Sequence, residues 1–147
     1  FERWTIDPVA GTTVRTVLHD HAQEFPRYDE RLTTKPYRYA YTIAIPDGVS
    51  AEWALADTRL FKHDLGNGTT AIHDFGPGRH PGEFVFVPRG ESGGEEDGWL
   101  IGLVVNMNDE TTALVILNAD DFTGSPQAVV HLPHRVPPGF HGNWVAD

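Results

Sequence analysis

The amino-acid sequence predicts an all-β protein. Short segments rich in valine, isoleucine, threonine and aromatic residues run along the whole chain, and many alternate with polar residues, as half-buried strands do. Eleven prolines and fifteen glycines punctuate the stretches between them. No window of a dozen residues shows a convincing helical period, although SAEWALAD has the composition for one or two helical turns.

The predicted strands fall into three groups along the chain. RWTID and VRTVLHD come first, followed by EFPR, YRYAYTIAI, TRLFKHDL and TTAIHDF, and then by EFVFVPR, GWLIGLVVN, TALVIL and QAVVHL. Turn sequences such as LGNGT, NMNDE and FTGSP separate neighbouring strands. Within the first of these, NGT at 67–69 fits a hairpin turn better than a glycosylation site.

The two groups of four strands are units of one internal repeat. Glu24 and Glu83 lie 59 residues apart at equivalent positions, and His141 follows Glu83 by 58 residues. Four strands per repeat of about 50 to 60 residues indicate a blade, and blades arranged radially form a β-propeller. We therefore expect Glu24, Glu83 and His141 on successive inner strands that converge on the propeller axis. The predicted divisions of the fragment 1–147 are the end of one blade at 1–20, blades at 21–76 and 77–134, and an inner ring-closing strand at 135–147.

Several motifs together carry a resemblance to a known family. They are EFPRYDER, KPYRYAY, HDFGPGRHPGEFVFVPR, EEDGWL, LVILNADDF and GFHGNW, in this order over essentially the whole chain. They resemble the C-terminal part of the carotenoid cleavage oxygenases, a family that includes stilbene-cleaving dioxygenases and the retinal pigment epithelial isomerase. The resemblance implies a seven-bladed propeller that holds a non-haem Fe(II) ion on its axis through four histidines, three of them held by glutamates.

Carried over residue by residue, the resemblance makes His141 the last of the four iron ligands. It makes Glu24 and Glu83 carboxylates that orient ligand histidines, a role that fixes the tautomer and direction of the imidazole. Glu83 lies one blade before His141 and is expected to be its acceptor. Glu24 is expected to hold a histidine that this chain does not contain, and the other three ligands and most of the substrate tunnel are expected in preceding blades.

The resemblance implies that the parent protein is an Fe(II)-dependent dioxygenase. It would split a conjugated carbon–carbon double bond of a carotenoid, apocarotenoid or stilbene into two carbonyl products. Its partners would be dioxygen, an apolar polyene or stilbene, and the remaining propeller blades. We expect the isolated chain to be inactive, to bind iron poorly and to self-associate through blade faces that lack a neighbour.

Two other functions stay open at this point. One is a structural or binding propeller fragment without a metal, in which Glu24 and Glu83 form ion pairs with Arg27 and Arg89. The other is a hydrolase, because GESGG at 90–94 fits G-x-S-x-G, but that motif requires a helix after the turn and a further strand is predicted here. The remaining histidines are expected at strand ends or on the surface, and they are His19, His21, His63, His73, His80, His131 and His134.

Composition excludes several classes of function. A net charge of −10 disfavours nucleic acid and anionic lipid as partners. The absence of cysteine excludes disulfides, thiolate nucleophiles and cysteine-based zinc sites. No apolar run approaches the roughly 18 residues of a membrane-spanning helix. We expect a cytoplasmic protein.

Overall fold

The computed structural model describes residues 1–46 and 57–145, which form three antiparallel sheets. The first is a hairpin of β1 (Glu2–Asp7) and β2 (Thr12–Val17). The second contains β3 (Gln23–Arg27), β4 (Tyr39–Ala44), β5 (Arg59–Asp64) and β6 (Thr69–Asp74). The third contains β7 (Arg79–Pro88), β8 (Gly98–Asn106), β9 (Thr111–Asn118) and β10 (Ala128–His131).

The described ranges contain one 3-10 turn, at Glu30–Leu32, and no helix long and apolar enough to cross a membrane. The all-β class predicted from the sequence is confirmed. Except for its last residue, SAEWALAD lies outside the described residues.

Both four-stranded sheets are meanders in which each strand pairs with the next strand in sequence. The connection between β5 and β6 shows how the sequence forms the tight turn that such a meander requires. The carboxylate of Asp64 accepts hydrogen bonds from the backbone N–H groups of Gly66 and Asn67, at 3.0 and 3.1 Å. Gly68 has a φ of 68°, a conformation that costs glycine little. The segment NGT therefore forms the hairpin turn that the sequence predicts. The two four-stranded sheets lie within the ranges 21–76 and 77–134.

The hydrophobic core contains side chains from both four-stranded sheets. Tyr41 of β4 and Leu100 of β8 are almost completely buried, and so is Phe84 of β7. The rings of Tyr41 and Phe86 stack across the two sheets with their centroids 6.2 Å apart. Because aromatic rings bury large areas and interlock closely, this packing fixes the position of one blade against the next.

A polar contact also joins the two blades. Arg31, in the turn after β3, donates hydrogen bonds to the carbonyl oxygens of Gly90, Glu91 and Gly93, at 2.6, 3.0 and 3.2 Å. These carbonyls belong to the loop between β7 and β8, which also carries the exposed Ser92. Strand β8 follows this loop without a helix, so the strand–turn–helix arrangement of a hydrolase nucleophile is not formed.

Three of the histidines expected at strand ends or on the surface lie near strand ends, as expected, and are also buried. They are His63, His73 and His80. The Nδ1–H of His73 donates to the carbonyl oxygen of Phe122 at 2.9 Å, and that of His80 donates to the carbonyl oxygen of Asp57 at 3.0 Å. Burial of a polar ring is tolerated where its nitrogens find such partners, which alternation along a strand does not reveal.

The hairpin of β1 and β2 exposes apolar side chains. Trp4, Ile6, Val14 and Val17 are each between 58% and 68% exposed. Their strands pair only with each other within the described residues. Trp4, Ile6 and Val17 lie on one face of the hairpin and Val14 on the other, so apolar side chains are exposed on both faces at this end of the chain.

Residues 135–145 contain no strand, so the inner strand predicted over 135–147 is not formed in its described part. Pro137 and Pro138 have no N–H group to donate to a sheet. The segment is held by individual contacts instead, beginning with the backbone N–H of Val136, which donates to the hydroxyl oxygen of Thr112 at 3.0 Å. Beyond the prolines, the chain runs to Glu83 on β7.

Candidate metal site at the Glu83–His141 pair

Glu83 lies at an irregularity of β7, where the register against β8 shifts between Pro81 and Phe84. Such bulges turn side chains away from the regular alternation of a strand. The Glu83 side chain is 5% exposed. One carboxylate oxygen lies 3.2 Å from Nδ1 of His141, and the other accepts the backbone N–H of Gly142 at 2.7 Å. Glu83 therefore holds both the imidazole of His141 and the backbone that follows it.

The second ring nitrogen of His141 is available. With Nδ1–H donated to the Glu83 carboxylate, Nε2 of the neutral ring carries the lone pair. Nε2 makes no hydrogen bond within residues 1–46 and 57–145, and the His141 side chain is 71% exposed. This arrangement is the one required of a histidine ligand to a metal ion.

The neighbouring strand β3 supports the imidazole from the side. Its register against β4 shifts between Glu24 and Arg27, and Phe25 within this shift has a φ of 52°. The Phe25 ring meets the His141 ring edge to face, with centroids 5.4 Å apart and an interplanar angle of 79°. Because Phe25 is itself buried, its ring is held in place and packs against one side of the imidazole.

Arg27, also on β3, reaches the same group of residues. Its guanidinium lies 3.7 Å from the Glu83 carboxylate and donates to Oδ1 of Asn143 at 2.9 Å and to the carbonyl oxygen of Gly142 at 3.2 Å. It also pairs with Glu30 at 3.1 Å. Glu83 thus forms an ion pair alongside its contact with His141, but with Arg27 of the other sheet and not with Arg89, the arginine close to it in sequence.

The structure does not bring Glu24 to this pair. Glu24 is exposed, and although its backbone pairs with Ile43 of β4, its carboxylate makes no hydrogen bond or ion pair with any described residue. Arg89, which follows Pro88 as Arg27 follows Pro26, pairs with Asp97 at 3.0 Å and lies over the ring of Trp99 at 4.5 Å. The two repeats therefore place equivalent residues in different surroundings.

A mainly apolar cavity of about 360 Å³ lies beside His141. Its walls include Val85, Ile101 and Leu103 from the third sheet, with Phe140 and Trp144 from the terminal segment. Residues 1–46 and 57–145 contain no cluster of three or more histidine, cysteine, aspartate or glutamate side chains able to hold a metal ion. This part of the chain thus offers a single oriented imidazole beside an apolar surface.

Sequence reasoning identified Glu83 and His141 but missed the two groups that complete their surroundings. The backbone N–H of Gly142 carries no side-chain signal. Arg27 was recognised only as a potential ion-pair partner, since its place in the motif EFPR lies 56 residues from Glu83 in sequence. Its role depends on how one blade packs on the next.

Comparison with known proteins places the chain among enzymes of one family. Residues 1–146 match the family described as retinal pigment epithelial membrane protein. A carotenoid cleavage oxygenase of Mycobacterium tuberculosis is 41% identical over 145 residues, which cover 97% of this chain and 28% of the relative. The apocarotenoid-15,15'-oxygenase of Synechocystis is 35% identical over 142 residues, with the same coverage. The chain thus spans between a quarter and a third of the length of these relatives.

Comparison with solved structures leads to the same family. The crystal structure of cobalt-substituted Synechocystis apocarotenoid oxygenase matches 99% of this chain with a TM-score of 0.89 and 34% identity, over 30% of its own length. A chimera of that oxygenase with the retinal pigment epithelial protein matches with a TM-score of 0.89 and 33% identity. These likenesses confirm the predicted fold, which is that of β-propeller blades.

Proposed function

Because the chain belongs to the retinal pigment epithelial membrane protein family, which includes carotenoid cleavage oxygenases, we propose that it forms part of a non-haem Fe(II) dioxygenase. The full-length protein cleaves a conjugated carbon–carbon double bond of a carotenoid, apocarotenoid or stilbene to carbonyl products. The observation that carries this proposal is the Glu83–His141 pair, with Nδ1 at 3.2 Å from the carboxylate and Nε2 free.

The residues present fit a ferrous ion. Imidazole nitrogen is a suitable ligand for Fe(II), and an orienting carboxylate is the usual partner of a ligand histidine. His141 would hold the ion through Nε2 together with histidines contributed by the rest of the protein. When bound, ferrous iron supplies the redox chemistry by which dioxygen reacts with a conjugated double bond.

The residues of this chain would bind the metal ion and orient its ligand. Glu83 keeps the proton on Nδ1 of His141, so that Nε2 presents its lone pair. Glu24, one repeat earlier, orients a histidine from another blade in the same way. The apolar walls beside His141, including Ile101 and Leu103, match an apolar polyene or stilbene better than a charged substrate. The chain alone carries one ligand and is inactive.

The proposal is tested on the full-length protein. Its iron content is measured by elemental analysis, and a panel of carotenoids, apocarotenoids and stilbenes is incubated with it under ¹⁸O₂. The expected result is about one iron per protein and labelled carbonyl products, both lost in His141→Ala. Equal iron content in wild type and His141→Ala, or no cleavage of any panel member, would favour a metal-free binding propeller.

A further inference from the structure

We propose that Arg27 is a positioning residue that holds Glu83 and the segment after His141 in one arrangement, and thereby sets how firmly His141 binds its metal. This inference rests on the proposed function, because it concerns the same histidine. Arg27 touches neither the imidazole nor the cavity beside it, so its effect on the metal is exerted through Glu83 and through the backbone at Gly142.

Arg27 contacts two groups whose relative position sets the orientation of His141, namely the Glu83 carboxylate and the segment that follows the histidine. Toward β7, its guanidinium lies 3.7 Å from Oε1 of Glu83, the same oxygen that receives Nδ1 of His141. Toward the terminal segment, it donates to the carbonyl oxygen of Gly142 at 3.2 Å and to Oδ1 of Asn143 at 2.9 Å. One rigid planar group therefore links the acceptor of the imidazole to the backbone that carries it.

Burial makes this link strong. The side chains of Arg27 and Glu83 are 17% and 5% exposed, so solvent screens their charges only weakly. A carboxylate so buried is costly unless a positive group and hydrogen bonds compensate its charge. Arg27 is the cation that contacts Glu83 among the described residues. Without it, Glu83 would keep only its bonds to His141 and Gly142.

The terminal segment needs such a restraint. Within the described residues, 135–145 pair with no strand and so lack the backbone ladder that fixes the other elements of this chain. Gly142 is held at its N–H by Glu83 at 2.7 Å and at its carbonyl by Arg27 at 3.2 Å. The two peptide groups that flank Gly142 are thus anchored by one charged pair, and loss of Arg27 frees one of them.

The test uses the full-length protein loaded with Fe(II) under anaerobic conditions, and it follows the rate of iron release to a ferrous chelator. Arg27→Met removes the charge, and Arg27→Lys keeps the charge but not the fork of donors. Arg89→Met is the matched control, because Arg89 also follows a proline at the end of a strand, and the partners of its guanidinium among the described residues are Asp97 and Trp99. We expect release about 10- to 100-fold faster for Arg27→Met, an intermediate rate for Arg27→Lys, and the wild-type rate for Arg89→Met.

A second comparison asks whether Arg27 acts through Glu83. In a Glu83→Gln background, Arg27→Met should accelerate release by a clearly smaller factor than in the wild-type background, since the two groups act as one unit. Equal factors in both backgrounds would overturn the inference. A wild-type rate for Arg27→Met would do the same, even if its thermal unfolding temperature falls, because the role would then be structural only.

Two further variants keep the result interpretable. If Arg27→Met does not fold, Arg27→Lys and Asn143→Ala test the same link from its two ends, and wild-type release rates in both would overturn the inference. His141→Ala distinguishes the two proposals. Iron retained in His141→Ala contradicts the proposed function itself, whereas iron lost in His141→Ala but retained in Arg27→Met contradicts the role of Arg27 alone.

Discussion

Replacement of Glu83 by glutamine tests the candidate site with almost no change in shape. The carboxylate accepts two hydrogen bonds, from Nδ1 of His141 at 3.2 Å and from the backbone N–H of Gly142 at 2.7 Å. Glutamine offers one oxygen and one NH₂ group in their place. If the oxygen stays with Gly142, the NH₂ group faces Nδ1, and two donors meet. The ring must then move or place its proton on Nε2, the atom that metal binding requires.

The size of the effect follows from the bond that is lost. A hydrogen bond to a charged group contributes about 1.5–3 kcal/mol and a neutral one about 0.5–1.5 kcal/mol. Loss of the charged bond therefore costs about 1.5–3 kcal/mol, which agrees with the roughly 10- to 100-fold weakening that loss of such a partner typically causes. We expect Glu83→Gln to weaken iron binding within this range, and His141→Ala to weaken it further because the ligand itself is removed.

The assay is an anaerobic competition of the full-length protein against a ferrous chelator of known affinity. Glu95→Gln is the control, because Glu95 also accepts backbone N–H groups, from Arg38 at 2.7 Å and Tyr39 at 3.2 Å, and its hydrogen bonds within the described part of the chain involve no histidine. An iron affinity in Glu83→Gln equal to that of Glu95→Gln would refute the reasoning. So would a loss as large as that of His141→Ala.

Three further outcomes are expected. The isolated chain should self-associate through exposed side chains such as Trp4 and Ile6, and it should hold far less than one equivalent of iron. Light scattering and metal analysis test this, and a monomer that holds one iron tightly would contradict it. In the full-length protein, stability to urea should fall by up to about 1.4 kcal/mol per pH unit as the pH drops from about 6.5 towards 4, because the unfolded chain protonates His63 first. Burial lowers the pKa of His63 to about 4 in the folded state, so His63→Gln should flatten this dependence, and an unchanged slope would exclude His63 as its source. Gly102→Ala should lower the free energy of unfolding by about 1–3 kcal/mol, because the added Cβ would lie 2.5 Å from the Phe84 ring. Gly90→Ala is the control, since a Cβ there meets no atom within 4 Å. Equal urea midpoints for the two variants would contradict the packing argument.

The amino-acid sequence by itself determined the all-β class, the order of the strands and the repeat that makes Glu24 and Glu83 equivalent. These features depend on alternation, turn residues and spacing, which are local properties of the chain. The segment GWLIGLVVN, for example, is β8 without a change of bounds. The family resemblance added the roles of His141 and the glutamates, which spacing alone does not assign.

Only the tertiary structure decided what surrounds those residues. Sequence alternation could not show that His63, His73 and His80 are buried, because their acceptors come from neighbouring strands and loops. It could not place Arg27 beside Glu83, since that contact depends on the packing of one blade against the next and on a register shift in β3. Nor could it show that residues 135–145 pair with no strand of the described residues while Gly142 is held at both its N–H and its carbonyl. Contacts between residues far apart in sequence are set by burial and by the pairing of charges within the core, and the local pattern of a strand carries no record of them.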